Sequence, residues 1–339
     1  MTEKRILLDS DKPYYKGNMH CHSTLSDGKL TPQELKAAYK SQGYHFLALT
    51  DHEVLYDNSY LDDEDFLTIT STEYAIKEFS DQSTLKNLHM RVCHLNLYAK
   101  EQHNTNNVYY CAAVDHYSQP AVKADSLRRF GDHPRPYSAQ TINEIIRTAN
   151  ENGFFVSYNH PRWSLENYGQ YGQYEGLWGV EIYNTSVNAG GIYEYNIATA
   201  DDFLRDGKHI FVTCGDDNHN ARGLQDSFGA FVMVNARELS YDAIISALLQ
   251  GDFYTSTGPT IESLVLEGNR VTIRCSEARQ ICLSTSGRYA QSKIAGEDGL
   301  LREAVFDIRE DSQYFRLDVI DAFGNRANTQ AYSLSGSCR

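Results

Sequence analysis

His20 and His22 stand two residues apart in NMHCHSTLSDG (18–28). On an extended strand residues two apart share a face, so both imidazoles can grip one metal ion. Asp27 follows in a turn before Gly28. Further along, LTDHE delivers Asp51 and His52 at the end of an apolar run, and STEYA ends another with Glu73. An acid leaving an apolar strand needs a partner, and a cation is the obvious one. Asp51 has a second reading, as the cap of a following helix. His94 in RVCHLNLYA and His160 in VSYNHPRW belong to strand-like segments, and VTCGDDNH carries Asp216, Asp217 and His219. Asp217 and His219 repeat the two-residue spacing. Such a mixture of imidazole and carboxylate suits zinc, manganese or iron better than magnesium or calcium.

Chemistry of this kind needs its side chains delivered to one place by a rigid frame. HFLALTDH (45–52), EDFLTITSTEYA (64–75), FFVSYNH (154–160), WGVEIYN (178–184) and HIFVTCGDD (209–217) read as buried strands. Between them lie amphipathic stretches. TPQELKAAYKSQG has Thr31 as N-cap, Pro32 in the first turn, Glu34 three residues after the cap and Gly43 as a stop; SAQTINEIIRTANENG repeats the grammar from Ser138 to Gly153. Strand–helix alternation predicts parallel strands joined by right-handed crossovers, in an α/β barrel or open sheet. The candidate residues would then lie at the C-terminal ends of the strands.

From about Gly251 the pattern changes to short alternating strands separated by Gly268-Asn269 and Gly324-Asn325, with no helical stretch between them. This predicts a small antiparallel β-sandwich or half-barrel. The chain is therefore divided into an α/β unit that carries the candidate residues (1–252) and a β-rich unit (253–339). Residues 100–136, of weak periodicity, read as an inserted loop able to form a lid. Tyr168, Tyr171 and Tyr174 in ENYGQYGQYEG read as a surface loop bordering a pocket, with a stacking platform for a ring as the functional alternative.

Charged residues make up 22% of the chain and the AVILMFWYC set 41%, the profile of a soluble globular protein. The formal net charge of -14 argues against long nucleic acids and anionic membranes as partners. No apolar run reaches the length of a membrane span, and the start lacks a signal-peptide core, so a cytoplasmic protein is expected. Seven cysteines without C-x-x-C spacing read as reduced structural thiols. Cys21, Cys93 and Cys214 each neighbour a candidate ligand, but adjacent residues of a strand point to opposite faces.

In order along the chain, HCHSTLSDG, LTDHE, the glutamate of STEYA, CHLNLYA, NHPRW and GDDNH resemble the motif regions of the PHP (polymerase and histidinol phosphatase) superfamily. The resemblance covers roughly residues 15–260, including the STGP segment (256–259). It implies a distorted (β/α)7 barrel, followed here by the small β-sandwich-like domain. It further implies two or three divalent ions, manganese, iron or zinc. By that resemblance His20, His22, Glu73 and Asp217 hold one ion. Glu73, His94 and His160 hold a second, and Asp27, His52 and His219 a third. Asp51 would orient His20 or His22 from behind. Asp216 competes with Asp217 for its position, and the spacing to His219 favours Asp217.

The implied activity is hydrolysis of a phosphoric ester, in which water shared by two ions attacks phosphorus. Arg162, immediately after His160-Pro161, is the first choice for neutralising the phosphoryl oxygens, with Arg135 and Arg222 as alternatives. His219 could donate the proton to the leaving oxygen. A small phosphorylated metabolite or nucleotide is the expected substrate. Two other classes compete: an amidohydrolase-like enzyme cleaving C–N bonds, and a metal-binding module related to polymerase proofreading domains. The absence of a lysine among the strand-end candidates speaks against the first, and the acidic charge against the second.

Overall fold

The computed structural model describes residues 4–78, 89–297 and 299–334. The chain is a sheet-rich α/β protein. Its first part runs β1 (Lys4–Leu8), β2 (Tyr14–Asn18), α1 (Pro32–Ser41), β3 (Phe46–Leu49), β4 (Leu67–Lys77), β5 (Val92–Ala99), α2 (Pro120–Phe130) and α3 (Ala139–Glu151). Then come β6 (Phe154–Tyr158), α4 (Tyr168–Tyr171), β7 (Gly179–Asn184), α5 (Thr185–Ala189), α6 (Ile197–Arg205) and β8 (Phe211–Gly215). β9 (Ala221–Leu224), β10 (Phe231–Asn235), α7 (Tyr241–Gln250) and β11 (Phe253–Ser256) complete this part. The remainder is strand alone: β12 (Ile261–Glu267), β13 (Arg270–Ala278), β14 (Gln280–Thr285), β15 (Ala290–Ile294), β16 (Leu301–Asp307), β17 (Phe315–Ile320) and β18 (Arg326–Thr329).

The five strands expected from apolar runs are present as β3, β4, β6, β7 and β8. The two helix grammars also hold. Thr31 accepts a hydrogen bond from the Glu34 backbone while the Glu34 carboxylate accepts one from Thr31, and Ser138 caps α3. The apolar stripe of α3, with Ile142, Ile145, Ile146 and Ala149, packs on Phe154, Val156 and Val180 of β6 and β7.

One large sheet has the order β15-β14-β17-β18-β11-β10-β2-β3-β4-β5-β6-β7-β8. The all-parallel expectation fails at two strands: β5 runs antiparallel to both β4 and β6, and β10 runs antiparallel to β2. The helices are also fewer than a regular alternation requires, because only a short 3-10 turn (Ser59–Leu61) lies between β3 and β4. After β8 the chain returns to β2. Asp217 N donates to His20 O at 2.8 Å, and His22 N to Asn218 O at 3.2 Å. At the free edge of β8 the Gln330 side chain does the work of a strand, accepting from Val212 N at 2.8 Å and donating to Val212 O at 3.0 Å.

The expected insert (100–136) is not a plain loop, since α2 occupies much of its second half. A second sheet, β1-β12-β13-β16, pairs the start of the chain with the C-terminal strands. Leu264, Leu266, Ile273 and Phe306 from this sheet meet Ile281, Leu283, Leu317 and Val319 from the large one in a shared core. Alternate residues of β12 and β14 are buried, as two facing sheets require. The Arg316 guanidinium bridges Asp318 at 2.7 Å and Asp201 of α6 at 3.1 Å, tying the strand-rich tail to the helical layer. No helix among the described residues is long and apolar enough to cross a membrane.

Candidate metal centre

Six imidazoles and three carboxylates converge where β2, β3, β6 and β8 end, where β5 begins and midway along β4, which carries Glu73. His94 reaches the others from the start of its strand because β5 is reversed. Glu73 is the hub. Its Oε1 lies 3.2 Å from His20 Nε2, 3.2 Å from His94 Nδ1 and 3.4 Å from His160 Nε2. Its Oε2 lies 3.1 Å from His52 Nδ1 and 3.4 Å from His22 Nε2, yet has no hydrogen-bond partner among the described residues. Asp217 Oδ1 is 2.9 Å from His22 Nε2 and 3.2 Å from His20 Nε2.

Three groups have ligand atoms close enough to share an ion: His20, His22, Glu73 and Asp217; Glu73, His94 and His160; and His22, Asp27, His52 and His219. Glu73 belongs to the first two, its Oε1 lying 3.2 Å from both His20 Nε2 and His94 Nδ1. His22 cannot join two groups in the same way, because a neutral imidazole has one lone pair. Its Nε2 sits 2.9 Å from Asp217, whereas its Nδ1 is 3.8 Å from Asp27, so it belongs with the first group.

Converging lone pairs and buried, unpartnered atoms are what a cation site requires. Burial opposes charge on His20, but Asp217, Glu73 and Glu181 outweigh it and raise the imidazole well above its ordinary value. Burial likewise opposes charge on Glu73, and His94, His20 and His52 overcome it, holding the carboxyl well below its usual range. The donor set fits divalent metal.

Tautomers are fixed from behind. Glu181 Oε1 takes His20 Nδ1 at 3.0 Å, leaving Nε2 to face the cluster, and Glu181 Oε2 accepts the His160 backbone N–H at 3.0 Å. The His219 Nδ1 is held by the Asp217 carbonyl at 2.8 Å. Glu181 therefore does what sequence reasoning gave to Asp51. The Asp51 carboxylate instead accepts from the backbone and hydroxyl groups of Ser23 and Ser26 at 2.7–3.1 Å, which bind the loop carrying Asp27. The signal for Glu181 was present, an acid inside the apolar run WGVEIYN. The same rule had singled out Glu73.

Asp216 and Asp217 part company. Asp216 accepts from Tyr39, Thr185 and the backbone of Phe228, Gly229 and Ala230, a structural role. Asp217 turns into the cluster on a left-handed backbone (φ 52°), and His160 is also left-handed (φ 27°). Holding non-glycine residues there costs free energy that the surroundings must meet. Gly215 is needed at its position, since a β-carbon would stand 2.4 Å from His20 Cβ.

The cluster forms the floor of a 460 Å³ cavity whose walls include Met90, Val92, Val114, Trp163, Leu165 and Ile192. The Tyr117 ring, from the insert, stacks on His52 with centroids 5.6 Å apart. None of the three arginines considered from sequence lines it. Arg162 and Arg222 are exposed, and Arg135 is buried in an ion pair with Glu53 at 2.6 Å beneath the Tyr74 ring. Lys77, missed in the sequence, is the cation on the wall.

The other expectations for the region resolve simply. Tyr171 and Tyr174 are buried away from the cavity; Tyr174 donates to Glu166. Cys21, Cys93 and Cys214 are buried free thiols outside the three groups, and Cys338 lies outside the described residues.

No family model matches the chain. A stretch of 40 residues is 50% identical to a 5'-3' exoribonuclease of Haemophilus influenzae, and it spans 15% of that protein's length and 12% of this chain. Among solved structures, similarity extends to a two-domain protein of Bacteroides vulgatus containing a predicted PHP-like metal-dependent phosphoesterase. It is 14% identical, with 96% of each chain covered and a TM-score of 0.45. An amidohydrolase from Chromobacterium violaceum, solved with bound sulfate and no metal, is 14% identical, covering 60% of this chain and 87% of its own, at a TM-score of 0.36.

Proposed function

We propose that the chain is a PHP-type metal-dependent phosphoesterase that hydrolyses a small phosphorylated metabolite or nucleotide. The observation that carries this reading is the meeting of three ligand groups around Glu73 on the floor of one cavity. Strands β2 to β8 are read as the distorted seven-stranded barrel of that family. Residues 1–252 are read as the hydrolase unit and 253–339 as its β-rich companion, to which β1 lends a strand.

His20, His22, Glu73 and Asp217 would hold one ion, Glu73, His94 and His160 a second, and Asp27, His52 and His219 a third. Bound divalent ions supply Lewis acidity that activates water and offsets charge on phosphoryl oxygens. Glu181 keeps the His20 Nδ1 proton in place so that Nε2 faces inward. His219 has 29% of its side chain exposed, the most of the six imidazoles. With Nδ1 committed to the Asp217 carbonyl, only Nε2 remains, so His219 either holds an ion or passes a proton to the leaving oxygen. Trp163, Leu165 and Ile192 give the cavity an apolar wall that favours a substrate with an apolar part.

The similarity to an exoribonuclease is in keeping with phosphoester chemistry, because cutting RNA breaks such a bond. The net charge of -14 favours short substrates over long ones. The test is a panel of phosphomonoesters, cyclic phosphates and short oligonucleotides offered to manganese-loaded protein, with amides alongside. Turnover of at least one phosphoester is expected, abolished by chelation and by His20→Ala. Hydrolysis of amides alone, or of nothing while metal stays bound, overturns the reading.

A further inference from the structure

β4 carries its chemistry on alternate residues. Glu73, Ala75 and Lys77 share a face of the strand, and all three line the cavity. Lys77 is the only lysine or arginine among the described residues of that lining, against four acids, Asp27, Glu53, Glu73 and Asp217.

None of those acids pairs with it. Glu73 and Asp217 face imidazoles, Asp27 faces His219 at 3.4 Å, and Glu53 pairs with Arg135 through Oε1 at 2.6 Å. The Lys77 ammonium makes no close ion pair or hydrogen bond among the described residues, although it is half-buried and feels Glu53, Glu73 and Asp27 only at longer range. By contrast, Lys40 lies 2.8 Å from Asp63 and the buried Arg316 2.7 Å from Asp318. An ammonium half removed from water with no carboxylate in direct contact is costly, and a ligand that brings an anion against it relieves that cost.

We propose that Lys77 is the cation that anchors the substrate: its ammonium receives an anionic oxygen of the molecule whose reacting group sits on the Glu73 cluster. This rests on the phosphoesterase reading for the identity of the substrate, and not for the presence of the anion. Lys77 stands four positions along the strand from Glu73, about 13 Å between α-carbons. The anion is therefore either a distal oxygen of the scissile phosphoryl group or a second acidic group on the same molecule. In both cases the lysine discriminates in favour of anionic substrates and takes the place that sequence reasoning gave to Arg162.

The test compares wild type, Lys77→Met and Lys77→Arg, each loaded with manganese and with metal content measured. Two kinds of substrate are used, phenyl phosphate and a phosphomonoester carrying a second acidic group. Lys77→Met should raise KM roughly 10- to 100-fold, the effect of losing one charge-assisted hydrogen bond, with kcat changed less and metal content unchanged. Lys77→Arg should recover most of the loss. A rise for both substrates places the scissile phosphoryl group at Lys77, and a rise for the second alone places the other acid there.

Binding of inorganic phosphate and of methylenediphosphonate, followed by calorimetry, separates this proposal from the assigned reaction. If wild type hydrolyses no phosphoester but Lys77→Met still weakens either anion roughly tenfold, the lysine keeps its role and the phosphoesterase reading fails. Unaltered KM and unaltered anion affinity in Lys77→Met, with metal in place, would overturn the proposal.

Discussion

Glu181 touches the site at three points: the His20 ring, the His160 backbone and, through Oε2, the Asn184 amide at 3.0 Å. It sets both the tautomer of one imidazole and the placement of another. A glutamine there would keep the shape but lose the charge that supports His20 Nδ1–H. Glu181→Gln should weaken metal binding about 10- to 100-fold, as loss of a group orienting a ligand histidine does, with cooperative thermal unfolding retained. Competition with a chromophoric chelator measures it. Affinity equal to wild type would show that His20 needs no support. Asp51, with its four bonds to Ser23 and Ser26, governs a loop instead, and the contrast shows how little a residue's place at a strand end says about where its carboxylate points.

At the scale of elements, Glu166 joins three separate pieces of chain, accepting hydroxyls from Tyr137, Tyr158 and Tyr174. Burial raises its carboxyl above the ordinary value, and the three hydroxyl groups recover only part of the shift. An acid whose pKa is higher folded than unfolded binds its proton more tightly in the native state. Its contribution is fully present below the unfolded pKa and is lost as pH rises toward the folded value. Glu166→Gln should therefore gain stability relative to wild type as pH goes from about 4 to about 7. Urea unfolding at several pH values measures the gap, and parallel profiles would refute it.

Elements were the level at which the sequence was most readable. Apolar runs and caps located β3, β4, β6, β7, β8, α1 and α3, because burial and capping are local in sequence. The direction of β5 was not legible, since pairing partners are set by contacts distant in sequence. Nor was the helix α2, all of whose residues stay at least partly exposed and so leave no apolar stripe strong enough to read. In the site, spacing brought His20 and His22 together and separated Asp217 from Asp216. Lys77 was passed over because a lysine at a strand end reads as a solvated surface residue until the cavity beside it is seen.

For the whole molecule, the first and last described segments are bound into the same pair of sheets. β1 pairs with β12, Arg5 donates to the Ser333 carbonyl at 2.7 Å, and the tail reaches the helical layer through Arg316 and Asp201. The Gln330 amide closes on Val212 at the last strand of the large sheet, supplying one donor and one acceptor where a neighbouring strand would. An uncovered strand edge is a template for pairing with another molecule. Gln330→Ala should leave the metal cluster intact and raise concentration-dependent association, read by light scattering; a variant as monodisperse as wild type would count against it. One amide near the end of the chain would then decide whether these molecules stay apart from one another in a crowded solution.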